Sequence, residues 1–240
     1  MNDPVKSWIL AARPKTLTAA LVPIVVATAL VHACGYEIQW WISIAALVAS
    51  FAIQIATNLI NDAIDFDKGA DTETRIGPLR VTQTGMLSRK QVMGAGFAAL
   101  ALAFACGVPL AIHGGWPIVA IGIASLFLAY GYTGGPFPLA YLGLGDLFVI
   151  LFFGVIAVGG TFFLHTGEIL KPALVAGLQV GMLATVLIAI NNLRDSPQDA
   201  LVGKKTLAVR FGPRFAKVEI AFMAYAPFLL GILYKSPEWN

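Results

Sequence analysis

The chain has 240 residues, 58% of them hydrophobic and 12% charged, with a mean hydropathy of +0.79 and a net charge of +3. A soluble domain carries about a quarter of its residues as charged groups, so this composition excludes an ordinary water-soluble globule. The small positive excess does not point to nucleic acid, because the basic residues flank long apolar runs and form no single patch.

Seven apolar runs are long enough to cross a bilayer, at roughly 16–33, 39–60, 92–112, 116–131, 147–165, 173–190 and 215–234. None alternates with a period of two, so the sequence predicts an all-α polytopic bundle in the lipid bilayer and not a barrel. The first run resembles a signal peptide ending at Val31-His32-Ala33-Cys34. Six further runs follow it, and it reads better as the first transmembrane helix.

The second run closes on Asn58, Asn61, Asp62 and Asp65. On a helix, Asn58, Asp62 and Asp65 share one face over about 10 Å. A connection of about thirty residues, 61–91, follows; connections this long are usually functional or disordered. Within it, Asp67, Glu73, Arg89 and Lys90 read as solvated loop charges. The connection at 132–146 carries no Lys or Arg and is flanked by Tyr130, Tyr132 and Tyr141. Those tyrosines either line a pocket for an aromatic molecule or belong to a turn at the membrane interface. Asp146 is expected to cap the N-terminus of the fifth span. Gly177 and Gly181 form a small-xxx-small pair that predicts close helix packing.

The sixth run closes on Asn191, Asp195 and Asp199, with Asn192 and Arg194 beside them. Pro197 is expected to kink or end that helix, leaving Asp199 on a loop of about two dozen residues, 191–214. Asn-x-x-x-Asp thus occurs at 58–62 and again at 191–195, each time closing an even-numbered span. An offset of four spans gives the two copies parallel topology and suggests a four-helix unit used twice.

Fourteen of the sixteen basic residues fall on one side of this topology, and only Lys171 and Lys235 on the other. The positive-inside rule then places the N-terminus and both carboxylate clusters in the cytoplasm. Cys34 and Cys106 have no metal-binding or disulfide spacing, and His32, His113 and His165 map to the opposite ends of the spans. No feature specifies an oligomeric state.

Carboxylate and amide oxygens suit hard cations, and Mg²⁺ typically joins one or two carboxylates to substrate phosphates. The same clusters carry Arg75, Arg80, Arg194, Lys204 and Lys205, which can bind phosphate oxygens directly. Acids and bases interleaved at the mouth of an apolar cavity fit a lipid diphosphate. A cation-coupled transporter also uses intramembrane carboxylates. It needs a polar path to the far face, however, and the span interiors offer little beyond Gln54 and Gln179. A non-catalytic scaffold would not need the carboxylates at all.

Asn58-Leu-Ile-Asn61-Asp62-Ala-Ile-Asp65, then Gly69-Ala-Asp71 and Arg75-Ile-Gly77-Pro78-Leu79-Arg80, resembles the first aspartate motif of the UbiA superfamily of intramembrane aromatic prenyltransferases. Asn191-Asn192-Leu-Arg194-Asp195-Ser-Pro-Gln-Asp199, followed by Gly203-Lys204-Lys205-Thr206, resembles the second. Ala12-Arg13-Pro14-Lys15-Thr16-Leu17, Tyr132-Thr133-Gly134-Gly135-Pro136 and Gly143-Leu144-Gly145-Asp146 are similar to the branch that prenylates 1,4-dihydroxy-2-naphthoate in menaquinone synthesis.

That resemblance implies a polyprenyl diphosphate donor, an aromatic hydroxy acid acceptor, Mg²⁺ as cofactor and a bacterial inner-membrane location. It assigns Asn58, Asp62, Asp65, Asn191, Asp195 and Asp199 to the metal. Arg75, Arg80, Arg194, Lys204 and Lys15 go to the diphosphate, and Asp71, Asp65 and Asp199 to catalysis. Asp71 stands in for a carboxylate that the broader superfamily pattern places at the position of Gly69. Tyr130, Tyr132 and Tyr141 are the candidates for the acceptor pocket. The family has nine transmembrane helices. The chain is therefore expected to form one membrane domain with a complete four-helix unit at about 8–131 and an incomplete one at about 147–234.

Overall fold

The computed structural model describes residues 3–69, 77–136 and 138–235, and among these residues all regular structure is helical. Helix α1 (Pro4–Ala12) is short, is capped by the Asp3 carboxylate and carries proline at its first position. A single residue, Arg13, turns the chain into α2 (Pro14–Ala33). Then come α3 (Trp40–Asp67), α4 (Arg89–Gly114) and α5 (Trp116–Gly131). Two short pieces follow, α6 (Leu139–Leu142) and α7 (Gly145–Val149). A π-helical stretch, Ile150–Ile156, joins α7 to α8 (Ala157–Thr166). The chain continues through α9 (Lys171–Leu201) and α10 (Leu207–Leu230) into a 3₁₀ turn at Gly231–Lys235.

Six of these helical segments are long and apolar enough to cross a membrane: Pro14–Ala33, Trp40–Asp67, Arg89–Gly114, Gly145–Thr166, Lys171–Leu201 and Leu207–Tyr234. Trp116–Gly131 is apolar but has only 16 residues. The expected count of seven spans thus becomes six full spans and one shorter apolar helix.

The two longest helices outrun the hydrocarbon of a bilayer by the widest margin. At 1.5 Å per residue α3 is about 42 Å long and α9 about 46 Å, against about 30 Å of hydrocarbon. Both polar stripes therefore ride on continuous helix. Helix α9 runs through Pro197 to Leu201, which corrects the expected break there and places Asp199 on the helix. Proline removes the N–H that would bond the Leu193 carbonyl. The Ser196 hydroxyl donates to that carbonyl at 2.9 Å, so the acceptor is not left bare. The expected loop of about two dozen residues shrinks to 202–206. Helix α10 has its own break at Gly212 (φ 83°), just before Pro213.

Helix α9 is held against the π-helical stretch by glycines. A Cβ on Gly154 would run into the Gly177 carbonyl and the Gly181 backbone, so the two helices touch main chain to main chain. This confirms the packing role expected of Gly177 and Gly181.

The end of the bundle opposite the stripes is closed by its own polar chain. The Gln39 N–H donates to His165 Nδ1 (3.2 Å), so a neutral ring carries its proton on Nε2, facing Ser43 Oγ at 3.1 Å. Ser43 Oγ lies 2.8 Å from Thr28 Oγ1, which donates to the Ile24 carbonyl. Beside it an apolar cluster of Ile24, Ile42, Ala46, Leu110, Ile118 and Leu164 fills the space between helices.

Candidate active site

A cavity of about 640 Å³ opens between the helices. Its deep walls are apolar, with Ala46, Ala49, Ala103, Phe104, Ile118 and Leu164 among them. Its polar end gathers both stripes: Asn58, Asn61 and Asp65 from α3, and Asn191, Asn192, Asp195, Gln198 and Asp199 from α9.

Asp65 is the centre of that end. It is 1% exposed. Arg80 Nη2 and Lys204 Nζ each lie 3.3 Å from its Oδ2, and the Tyr141 hydroxyl donates to Oδ1 at 3.1 Å. A carboxylate this deeply buried is tolerable only with such partners. Lys204 also reaches Asp199, at 3.7 Å, so one ammonium bridges the two stripes. Both sides of the Asp195 carboxylate are taken by Arg194, with two contacts of 2.7 Å. Asn58 is tied by its amide to the Ala12 carbonyl and the Thr16 hydroxyl, fixing α1 and α2 to α3.

Asp62 stands apart from its neighbours. It is 1% exposed and does not line the cavity. At 100° per residue it lies about 60° around the helix from Asp65. Its two oxygens accept the backbone N–H groups of Val81 (3.2 Å) and Thr82 (3.3 Å). It thereby anchors the turn that carries Arg80 to Asp65.

Other sites expected from the sequence separate in space. Arg80, Arg194 and Lys204 line the cavity, whereas Lys15 is exposed and lies outside its lining. Arg13, which the sequence reading passed over, lines it instead. Arg13 has a left-handed backbone (φ 52°), uncommon for a residue with a side chain. Arg13-Pro14 carried no signal for this, since a proline biases the residue before it to the extended region and not to a left-handed turn. Asp71 and Arg75 lie outside the described residues. Asp67 pairs with Arg89 on the exposed surface.

Of the three tyrosines, Tyr132 lines the cavity. Tyr141 lies behind Asp65, its ring 3.9 Å from Lys68 Nζ. Tyr130 is stacked on Phe97 outside the cavity lining. Burial holds the Tyr132 hydroxyl above the usual phenol range, and the charges of Asp146, Asp65 and Asp199 push it further the same way.

Asp146 is not the cap that the sequence suggested. Leu144 holds the cap position of α7, and Asp146 is inside the first turn, 4% exposed and part of the cavity wall.

Among the described lining residues the groups able to ligate a metal at the polar end are carboxylate and amide oxygens, without His or Cys, a set that suits Mg²⁺ and not a softer ion. Among the described residues no three His, Cys, Asp or Glu side chains converge into a self-sufficient metal centre. Two carboxylates completed by substrate oxygens is the arrangement the residues fit, and Lys204 supplies the positive charge between them in this structure.

Comparison with known proteins agrees with this architecture. Residues 20–239 match the UbiA prenyltransferase family. The 1,4-dihydroxy-2-naphthoate octaprenyltransferase of Haemophilus influenzae is 37% identical over 219 residues, covering 88% of this chain and 71% of the relative. The protein of the same name from Mycobacterium tuberculosis is 34% identical, over 97% of this chain and 79% of its own. A UbiA homolog from Archaeoglobus fulgidus, solved bound to GPP and Mg²⁺, shares the fold at a TM-score of 0.72 and 16% identity, over 97% of this chain and 80% of that one. The chain therefore belongs to the UbiA prenyltransferase family and is a membrane enzyme that transfers prenyl groups.

Proposed function

We propose that this enzyme transfers a polyprenyl group from polyprenyl diphosphate to 1,4-dihydroxy-2-naphthoate, releasing CO₂ and diphosphate and giving demethylmenaquinol for menaquinone synthesis. The observation that carries the reading is the cavity itself. One end gathers oxygen donors with Arg13, Arg80, Arg194 and Lys204, and the rest is apolar enough for an isoprenoid chain. The naphthoate acceptor is supported by the two relatives of that name, which match most of the chain.

Asp65 and Asp199, with Asn58 and Asn191 beside them, would hold Mg²⁺ against the diphosphate. Bound there, the ion would supply positive charge to the departing diphosphate. Lys204, Arg80 and Arg13 contact phosphate oxygens and orient the donor so that its allylic carbon points into the apolar part of the cavity. The helices α2 to α5 and α8 exclude water from the allylic carbon. The acceptor ring carbon attacks it, and the electron pair of the ring–carboxylate bond restores aromaticity as CO₂ leaves.

The orientation proposed is N-terminus and polar stripes in the cytoplasm, from the distribution of the basic residues. A transporter fits less well, because the cavity floor is the apolar cluster around Leu110 and Ile118, and the polar groups beyond it bond to one another.

The test is prenyl transfer by the purified protein in lipid nanodiscs, with labelled prenyl diphosphate and dihydroxynaphthoate, with and without Mg²⁺. Mg²⁺-dependent prenylated naphthalene-1,4-diol is the expected product. No product under any condition, or product with 4-hydroxybenzoate alone, overturns the assignment.

A further inference from the structure

Of the four acids among the described residues lining the cavity, Asp65, Asp195 and Asp199 belong to the two polar stripes and Asp146 to neither. It is 4% exposed, and its Oδ1 has no hydrogen-bond partner among the described residues. A buried carboxylate oxygen without a donor is costly, and a cavity ligand that donates to it would remove that cost. The local backbone shows what the position is built around. Its carbonyl accepts from Thr185 of α9 (3.5 Å), which fixes α7 in place. The preceding residue, Gly145, has no side chain where a Cβ would stand 3.2 Å from the Tyr132 hydroxyl and 3.3 Å from Ile188. Gly145 thus lets α7 approach the Tyr132 hydroxyl closely, and Tyr132, Gly145 and Asp146 all line the cavity.

Tyr132 complements Asp146 chemically. Burial and three surrounding carboxylates keep its hydroxyl protonated, so it is a hydrogen-bond donor throughout the neutral range. Tyr132 lines the same cavity as Asp65, Asp199 and Asp146. A donor and an acceptor at the edge of an apolar cavity select a flat molecule bearing one group of each kind.

Resting on the prenyl-transfer reading above, we propose that Asp146 and Tyr132 form the acceptor subsite. Asp146 accepts the hydrogen bond of the ring hydroxyl remote from the acceptor's carboxylate, and Tyr132 donates to the carboxylate. The hydroxyl next to the carboxylate is already engaged with it internally, which leaves the remote one for the protein. Asp146 touches the substrate and fixes which ring carbon faces the allylic carbon; the hydroxyl keeps its proton throughout.

The test compares 1,4-dihydroxy-2-naphthoate with 1-hydroxy-2-naphthoate, which lacks the remote hydroxyl, as acceptors or competitors in nanodiscs. Wild type should favour the dihydroxy compound. In Asp146→Asn that preference should fall about tenfold to a hundredfold, with KM for prenyl diphosphate unchanged. Tyr132→Phe should weaken both compounds alike, since both carry the carboxylate. Donor binding by the variants, measured separately, reports that each is folded; should Asp146→Asn not bind donor, Asp146→Glu replaces it in the same comparison. An undiminished preference in the Asp146 variant overturns the subsite while leaving the prenyl-transfer reading intact. Absence of prenyl transfer by the wild type overturns that reading and the subsite with it.

Discussion

Lys204 Nζ lies 3.3 Å from the Asp65 carboxylate although the two residues are 139 positions apart. With Asp199 at 3.7 Å on the other side, the ammonium joins the stripe of α3 to the stripe of α9. Both carboxylates would otherwise face each other across a low-dielectric cavity. Replacing Lys204 by Met should lower the melting temperature in Mg²⁺-free buffer by the loss of a partly buried ion pair, about 1–3 kcal/mol. Added Mg²⁺ should raise that temperature more in the variant than in wild type. Equal Mg²⁺ shifts in thermal scans would show that the ion does not go between these carboxylates.

Asp62 and Arg80 are expected to act as one unit. Asp62 holds the 80–82 turn, and the turn holds Arg80 on Asp65. Asp62→Ala and Arg80→Ala should each weaken prenyl diphosphate binding. The double variant should be weaker than wild type by less than the sum, with a coupling of about 1–3 kcal/mol. Additive losses in a binding titration would mean that Asp62 meets the ligand by itself.

Arg13 and Lys15 offer a sharper contrast, being two positions apart with opposite surroundings. Arg13 lines the cavity and Lys15 faces outward. Arg13→Ala should raise KM for the donor about tenfold or more, as loss of a charge-assisted contact does. Lys15→Ala should stay within about twofold, as exposed charges usually do. Steady-state kinetics on the two variants reads this directly, and the reverse order would contradict the geometry.

Tyr132 should leave a mark on alkaline stability. Burial first, then Asp146, Asp65 and Asp199, raise its pKa above the ordinary 10.0. The folded protein therefore holds that proton more tightly than the unfolded chain. Its stabilising contribution is complete below the unfolded value, and it is lost as pH rises from there through the folded value. Tyr132→Phe should flatten the fall in melting temperature above pH 10 that the wild type shows. Ultraviolet titration should find one fewer late-ionising tyrosine in the variant.

Sequence pattern carried the spans and both stripes well, because hydropathy and helical spacing depend only on neighbours along the chain. It missed what distant residues decide. Spacing put Asp62 with Asp65, but the turn at 80–82 claims Asp62 through two backbone N–H groups. Pro197 signals a helix end unless something satisfies the Leu193 carbonyl, and the adjacent Ser196 does so. Asp146 occupies a plausible cap position in sequence, yet the chain enters the helix at Leu144 and turns the acid inward. The motif at the first span points to Lys15 for the diphosphate, whereas the left-handed turn at Arg13 sends Arg13 into the cavity and leaves Lys15 outside.

The glycine contact between the π-helical stretch and α9 has a further consequence. Gly154 meets Gly177 and Gly181 through main-chain atoms alone. Main-chain atoms are the part of a protein that substitution does not alter. The register of α9, and hence the height at which Asn191 to Asp199 meet Asp65, is thus set by a contact that holds as long as these three positions stay glycine. Residues elsewhere on the cavity wall are free to vary under that fixed frame, and a new substrate range can arise without disturbing the position of the diphosphate end.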